Sequence, residues 1–133
     1  MKLQRFTAFL PIALSAILSA AAQMFNPVKW TSEIKMTSDN TGEVVFTATI
    51  DAGWHMYSHD CDPQAGPSPL SINFTTLNGA VLEGSLKADT PSIKHYDDMF
   101  GTDLNYWENG ITLRQAFKAT EPQFSIDGNI RFA

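Results

Sequence analysis

The feature that most constrains this chain is a period of two. In one stretch after another, apolar residues recur at every second position, and no window of useful length repeats at the helical spacing. Successive side chains of an extended strand point to opposite faces, so this alternation marks strands buried on one side. Val28, Trp30, Ile34 and Met36 alternate with Lys29, Thr31, Glu33 and Lys35. Val44, Phe46, Ala48 and Ile50 share one face of the β-prone run Glu43–Ile50. Trp54–Ser58 reads as a short aromatic strand with Trp54 and Met56 on one face and His55 and Tyr57 on the other. Leu70, Ile72 and Phe74 restart the pattern, and Ala80–Lys87 is a weaker strand. Residues 88–98, around Pro91, read as extended and irregular. Leu104–Trp107, Asn109-Gly110 and Ile111–Lys118 predict a β-hairpin, and Phe124–Phe132 is the last strand, with Gly128 marking a bulge.

Turn chemistry separates these runs. Ser38–Gly42, Asp51-Ala52-Gly53 and the hairpin-type pair Asn78-Gly79 punctuate the chain, and His59–Pro69 is a loop dominated by Asp, Pro, Gly and Ser. Several short strands at such spacing predict an all-β fold, an antiparallel β-sandwich.

The first residues have a different character. Lys2 and Arg5 form a basic start, Phe6–Leu18 is an uncharged apolar run, and Ala20 and Ala22 fit a small-residue cleavage site. This is the pattern of a secretory signal peptide, residues 1–22, with residues 23–133 as the domain. The apolar run is shorter than the roughly 20 residues of a membrane-spanning helix and contains Pro11, so no direct membrane insertion is expected after cleavage. Removing 22 of 133 residues leaves 111, one domain's worth. Lys2 and Arg5 leave with the leader, so nine basic residues become seven against fourteen acidic ones, a net charge of −7. Such a surface opposes binding to nucleic acid or anionic lipid.

Candidate chemistry is sparse. Cys61 is the single cysteine, so it has no partner within this chain for a disulfide. His55, His59 and Cys61 are of metal-ligating type, but their spacing matches no standard site, and no metal or other cofactor is expected. A thiolate pair of Cys61 with a histidine lacks any local nucleophile elbow or oxyanion hole, and Asp97 and Asp98 read as solvated acids. More telling is Tyr96-Asp97-Asp98-Met99-Phe100-Gly101, where two large apolar residues sit in a loop. Loops seldom spend Met and Phe on solvent, so the tip either tucks into the sandwich or acts as a lid.

Five segments in this order carry a resemblance: Asn26–Trp30, Gly53–Ser58, Gly66–Pro69, Tyr96–Gly101 and Ile126–Phe132. Together they resemble the N-terminal periplasmic domain of the thiol:disulfide interchange protein DsbD, in its Bacteroidetes-type version. The resemblance implies an immunoglobulin-like sandwich in the periplasm. It also implies a role in passing reducing equivalents from a membrane-embedded electron-donor domain to periplasmic thioredoxin-like proteins, as in cytochrome c biogenesis. In that family two cysteines on a hairpin near the C-terminal end carry the exchange, beneath a cap loop. By position, Asp97, Asp98, Met99, Phe100 and Gly101 would be the cap loop, and Trp54 and Tyr57 its aromatic surround. The cysteine pair would fall after Ala133, so the chain as it stands has no catalytic residue, and its last strand reads as cut within a hairpin. The alternative reading is a non-catalytic immunoglobulin-like module that binds a periplasmic partner.

Overall fold

The computed structural model describes residues 2–9, 16–17 and 26–133. Eleven strands are found among the described residues: β1 (Lys2–Phe9), β2 (Ala16–Ile17), β3 (Val28–Met36), β4 (Thr41–Ile50), β5 (Met56–Tyr57), β6 (Ser71–Asn78), β7 (Ala80–Ala88), β8 (Ile93–Asp97), β9 (Thr102–Trp107), β10 (Gly110–Ala119) and β11 (Ser125–Phe132). All pairings are antiparallel. One sheet runs β2-β3-β4-β10-β7, a second β1-β11-β6, and a small third β5-β9-β8. The chain is thus an all-β antiparallel sandwich, as the alternation predicts.

The core lies where the inward faces meet. Trp30 and Ile34 of β3, Val44 and Phe46 of β4, and Leu113 and Phe117 of β10 are buried with Ile126, Ile130 and Phe132 of β11. Aromatic rings lock across the layers: Trp30 lies 5.8 Å from Phe132, and Phe117 lies 5.1 Å from Phe124. The third sheet joins the same core through Met56 and Trp107. Trp107 Nε1 donates to the Thr90 carbonyl at 3.2 Å, which keeps its one polar atom paired.

Four local expectations are corrected. Asn109-Gly110 does not close a hairpin: β9 pairs with β5 and β8, whereas β10 pairs with β4 and β7. Asn109, at φ 68°, reverses the chain and hands it from the small sheet to the large one. Asn78-Gly79 acts likewise between β6 and β7, with Gly79 at φ 71°. Both turns are the corners of a sandwich, because each flanking strand buries its apolar face in a different layer. The irregular stretch 88–98 instead contains β8, held against β9 from Ile93 to Asp97. Trp54 precedes the short strand and is 52 % exposed, while Met56 is buried.

Of the residues 1–22 expected as a leader, residues 2–9 form β1 and pair with β11 along its length, Phe6 opposite Gly128. The expected cleavage motif around Ala20–Ala22 lies outside the described residues. The register of β11 against β6 shifts between Asp127 and Gly128, leaving Thr75 of β6 as the extra residue, so the bulge lies on β6 opposite Gly128 rather than in the last strand itself.

Candidate functional site

The small sheet carries the residues the sequence singles out. Asp97 ends β8 and Thr102 begins β9, so Asp98–Gly101 is the tip of a true hairpin. Two features set its shape. Asp97 Oδ1 accepts hydrogen bonds from the Met99 and Phe100 amides at 2.8 and 3.1 Å. Gly101, at φ 70°, donates its amide to the Asp97 carbonyl at 2.7 Å, in a left-handed conformation that favours glycine. The Asp97 carboxylate is thereby committed to holding the turn.

The tip does not tuck into the core. Met99 is 88 % exposed and Phe100 40 % exposed. The covered side of the Phe100 ring lies on Gly66, in the proline-rich loop, where a Cβ would collide with it. Composition alone gave Gly66 no such role, since its only signal is a glycine between Ala65 and Pro67.

Tyr57, on β5, is the link between the tip and the chain's last residue. Its amide donates to the Ala133 carbonyl at 3.1 Å. Burial raises its phenol above the ordinary tyrosine value, and the neighbouring Asp97 and Cys61 side chains add to the effect. The His55 ring stands edge-on to Tyr57 at 5.2 Å and packs against Tyr106 at 4.8 Å. Trp54 lies apart from Phe100's seat: with Lys2, Pro27, Val28, Gly53, His55, Phe132 and Ala133 it lines a mostly apolar cleft of about 380 Å³. The expected aromatic surround is therefore two places, Tyr57 near Asp97 and Trp54 beside Ala133.

The Cys61 loop is braced from within. The Cys61 amide donates to the Ser58 carbonyl at 3.1 Å, and its thiol is buried and unpaired. Ser58 Oγ donates to Asp60, whose other oxygen accepts from Ser92 Oγ at 2.9 Å, and Asn105 Nδ2 donates to Ser92 Oγ at 3.1 Å. Burial alone would raise the Asp60 carboxyl pKa. The Ser58 and Ser92 hydrogen bonds and the charge of His59 outweigh it and hold that carboxyl below the usual range. His59 stacks on Trp107 at 5.5 Å. His55, His59 and Cys61 thus have separate packing roles, and among the described residues no group of three His, Cys, Asp or Glu side chains gathers as metal ligands would.

This arrangement can present an apolar hairpin tip and an aromatic cleft, but among the described residues it assembles no nucleophile with a base. No protein-family model, curated protein or solved structure matches the chain.

Proposed function

We propose that this chain is the scaffold and cap of a periplasmic thiol:disulfide relay domain of the DsbD type, with an immunoglobulin-like sandwich and a reactive cysteine pair encoded beyond Ala133. The observation that carries the reading is the place of Ala133. Its carbonyl accepts from the Tyr57 amide on β5, in the same small sheet whose β8–β9 hairpin bears the exposed Met99–Phe100 tip. A cysteine pair soon after Ala133 would start beside β5, opposite Tyr106 and four residues along β9 from Thr102 at the base of the tip, a span that about four extended residues cover. A neighbouring carboxylate disfavours the thiolate and slows stray attack until a partner displaces the tip. Exchange itself needs an attacking thiolate and a second thiol to resolve the mixed disulfide, and Cys61, single and buried, supplies neither. In this reading the donor is a membrane-embedded domain and the acceptors are periplasmic thioredoxin-like proteins.

The test begins with the coding sequence beyond codon 133. Two cysteines within about 20 residues, in a protein that then reduces a thioredoxin-like acceptor in an alkylation-and-mass assay, are the expected result. A stop codon, or a continuation without cysteines, overturns the relay. It would leave a non-catalytic sandwich that docks a partner through Met99 and Trp54, both largely exposed.

A further inference from the structure

In the sheet β1-β11-β6, residues 2–9 are, among the described residues, the only strand along one side of β11. If residues 1–22 are a cleaved leader, as the proposed periplasmic role requires, that side of β11 is vacated in the mature protein. What is vacated is a shaped groove. Phe6 is buried there, edge-on to Phe46 at 4.9 Å and to Phe74 at 5.8 Å. Its seat is Gly128: a Cβ at that position would lie 2.9 Å from Phe6 Cζ and would collide with the Asn73 carbonyl. The missing side chain is thus what admits an aromatic ring from the neighbouring strand.

Residues 2–9 fill this groove poorly. On the Phe6 side of β1 the next residues are Gln4 and Lys2, set opposite the buried Ile130 and Phe132. On β3, which packs beneath β1, Trp30 Nε1 and Ser32 Oγ are buried without a hydrogen-bond partner among the described residues, and Asp127 Oδ1 on β11 is in the same condition. Buried polar atoms are normally paired, so the two orphans of β3 beneath this strand leave groups for a different occupant to bond, whereas Asp127 lies on the outward face of β11. The charges indicate its kind. Residues 2–9 carry Lys2 and Arg5 and no acid, Arg5 and Asp127 line the same surface depression, and residues 23–133 carry a net −7.

We infer that the β11 edge of the mature domain is a strand-acceptor groove for a basic extended segment of a partner protein, with an aromatic residue opposite Gly128. Backbone pairing along β11 supplies affinity, and the Gly128 socket supplies specificity, as in other β-strand additions.

The chain is exported from a bacterial host, and its mass reads whether it begins at Gln23. A fluorescein-labelled peptide of residues 2–9 is then added, followed by fluorescence polarisation and circular dichroism. The expected result is a processed protein that binds the peptide, or that gains its β-sheet signal only when the peptide is present. The Phe6→Ala peptide should bind on the order of a hundredfold more weakly, and the Gln4→Ile peptide several-fold more tightly. The unprocessed chain, whose groove is filled by its own β1, should bind neither. Equal binding of the wild-type and Phe6→Ala peptides overturns the socket. A processed chain that is unfolded and not rescued, or folded and indifferent to the peptide, overturns the groove; a dimer in the latter case assigns the edge to a second copy. A retained N-terminus overturns the inference as well, because the groove is then never vacated. A retained N-terminus counts against both readings, while every other outcome leaves the cysteines sought beyond codon 133 untouched, so those failures are told apart.

Discussion

Replacing both Met99 and Phe100 with alanine separates a displaceable tip from a piece of core. A fully buried Phe→Ala change costs about 3–5 kcal/mol, because transfer and cavity terms add. Phe100 keeps 40 % of its surface in water, and part of its covered side lies on Gly66 of a surface loop, so truncation opens no closed cavity. What remains is the transfer of the covered part, about 1 kcal/mol. Met99, at 88 % exposed, adds only a few tenths. The backbone of the tip is held by Asp97 and Gly101, which the double change leaves alone. The expected loss is therefore about 1–1.5 kcal/mol, against about 3–5 kcal/mol for Phe46→Ala in the same protein. With a urea slope near 2 kcal/mol per molar, the midpoint should fall by about 0.6 M for the tip and about 2 M for Phe46→Ala. Urea unfolding followed by tryptophan fluorescence measures both. A tip variant that falls as far as Phe46→Ala would refute the reasoning and make the loop structural.

Two further outcomes follow from single residues. The folded-state pKa of Asp60 lies below its unfolded value, so the unfolded chain binds more protons between the two. This contribution is present above about pH 4 and is lost as pH falls through the folded pKa, so Asp60→Asn should flatten the acid limb of stability in urea midpoints taken from about pH 5 to 2; an unchanged limb rejects the Ser58–Asp60–Ser92 account. Cys61 is buried, so its thiol should ignore a disulfide reagent in the native protein and react fully in urea, and Cys61→Ala should leave the fold intact. Prompt native labelling would contradict its placement.

Period-two alternation was enough to identify the strands that build the core, and it named their inward faces: Trp30 and Ile34 on β3, Val44 and Phe46 on β4, and Ile126 and Ile130 on β11 are all buried. Gly128 was legible as an irregular point for a similar reason, since a glycine inside a strand marks a break in register or a close approach, but the extra residue, Thr75, sits on the partner strand β6. Turn residues were legible as turns but not as connections. Asn78-Gly79 and Asn109-Gly110 both reverse the chain through a positive φ, yet neither pairs the strands on its two sides. A backbone angle is a local property; the choice of partner strand is settled by which layer buries each apolar face.

The candidate site divides along the same line. Asp97 and Gly101 shape their own hairpin within five residues, so sequence sufficed to find the loop and its apolar tip. Only the tertiary structure decided where the tip rests. Phe100 meets Gly66, Tyr57 meets Ala133, and Phe6 meets Gly128 across separations in the chain that no local pattern encodes. Those meetings depend on shape, a glycine lacking a side chain where a ring must lie, and that fit exists only once the layers have closed.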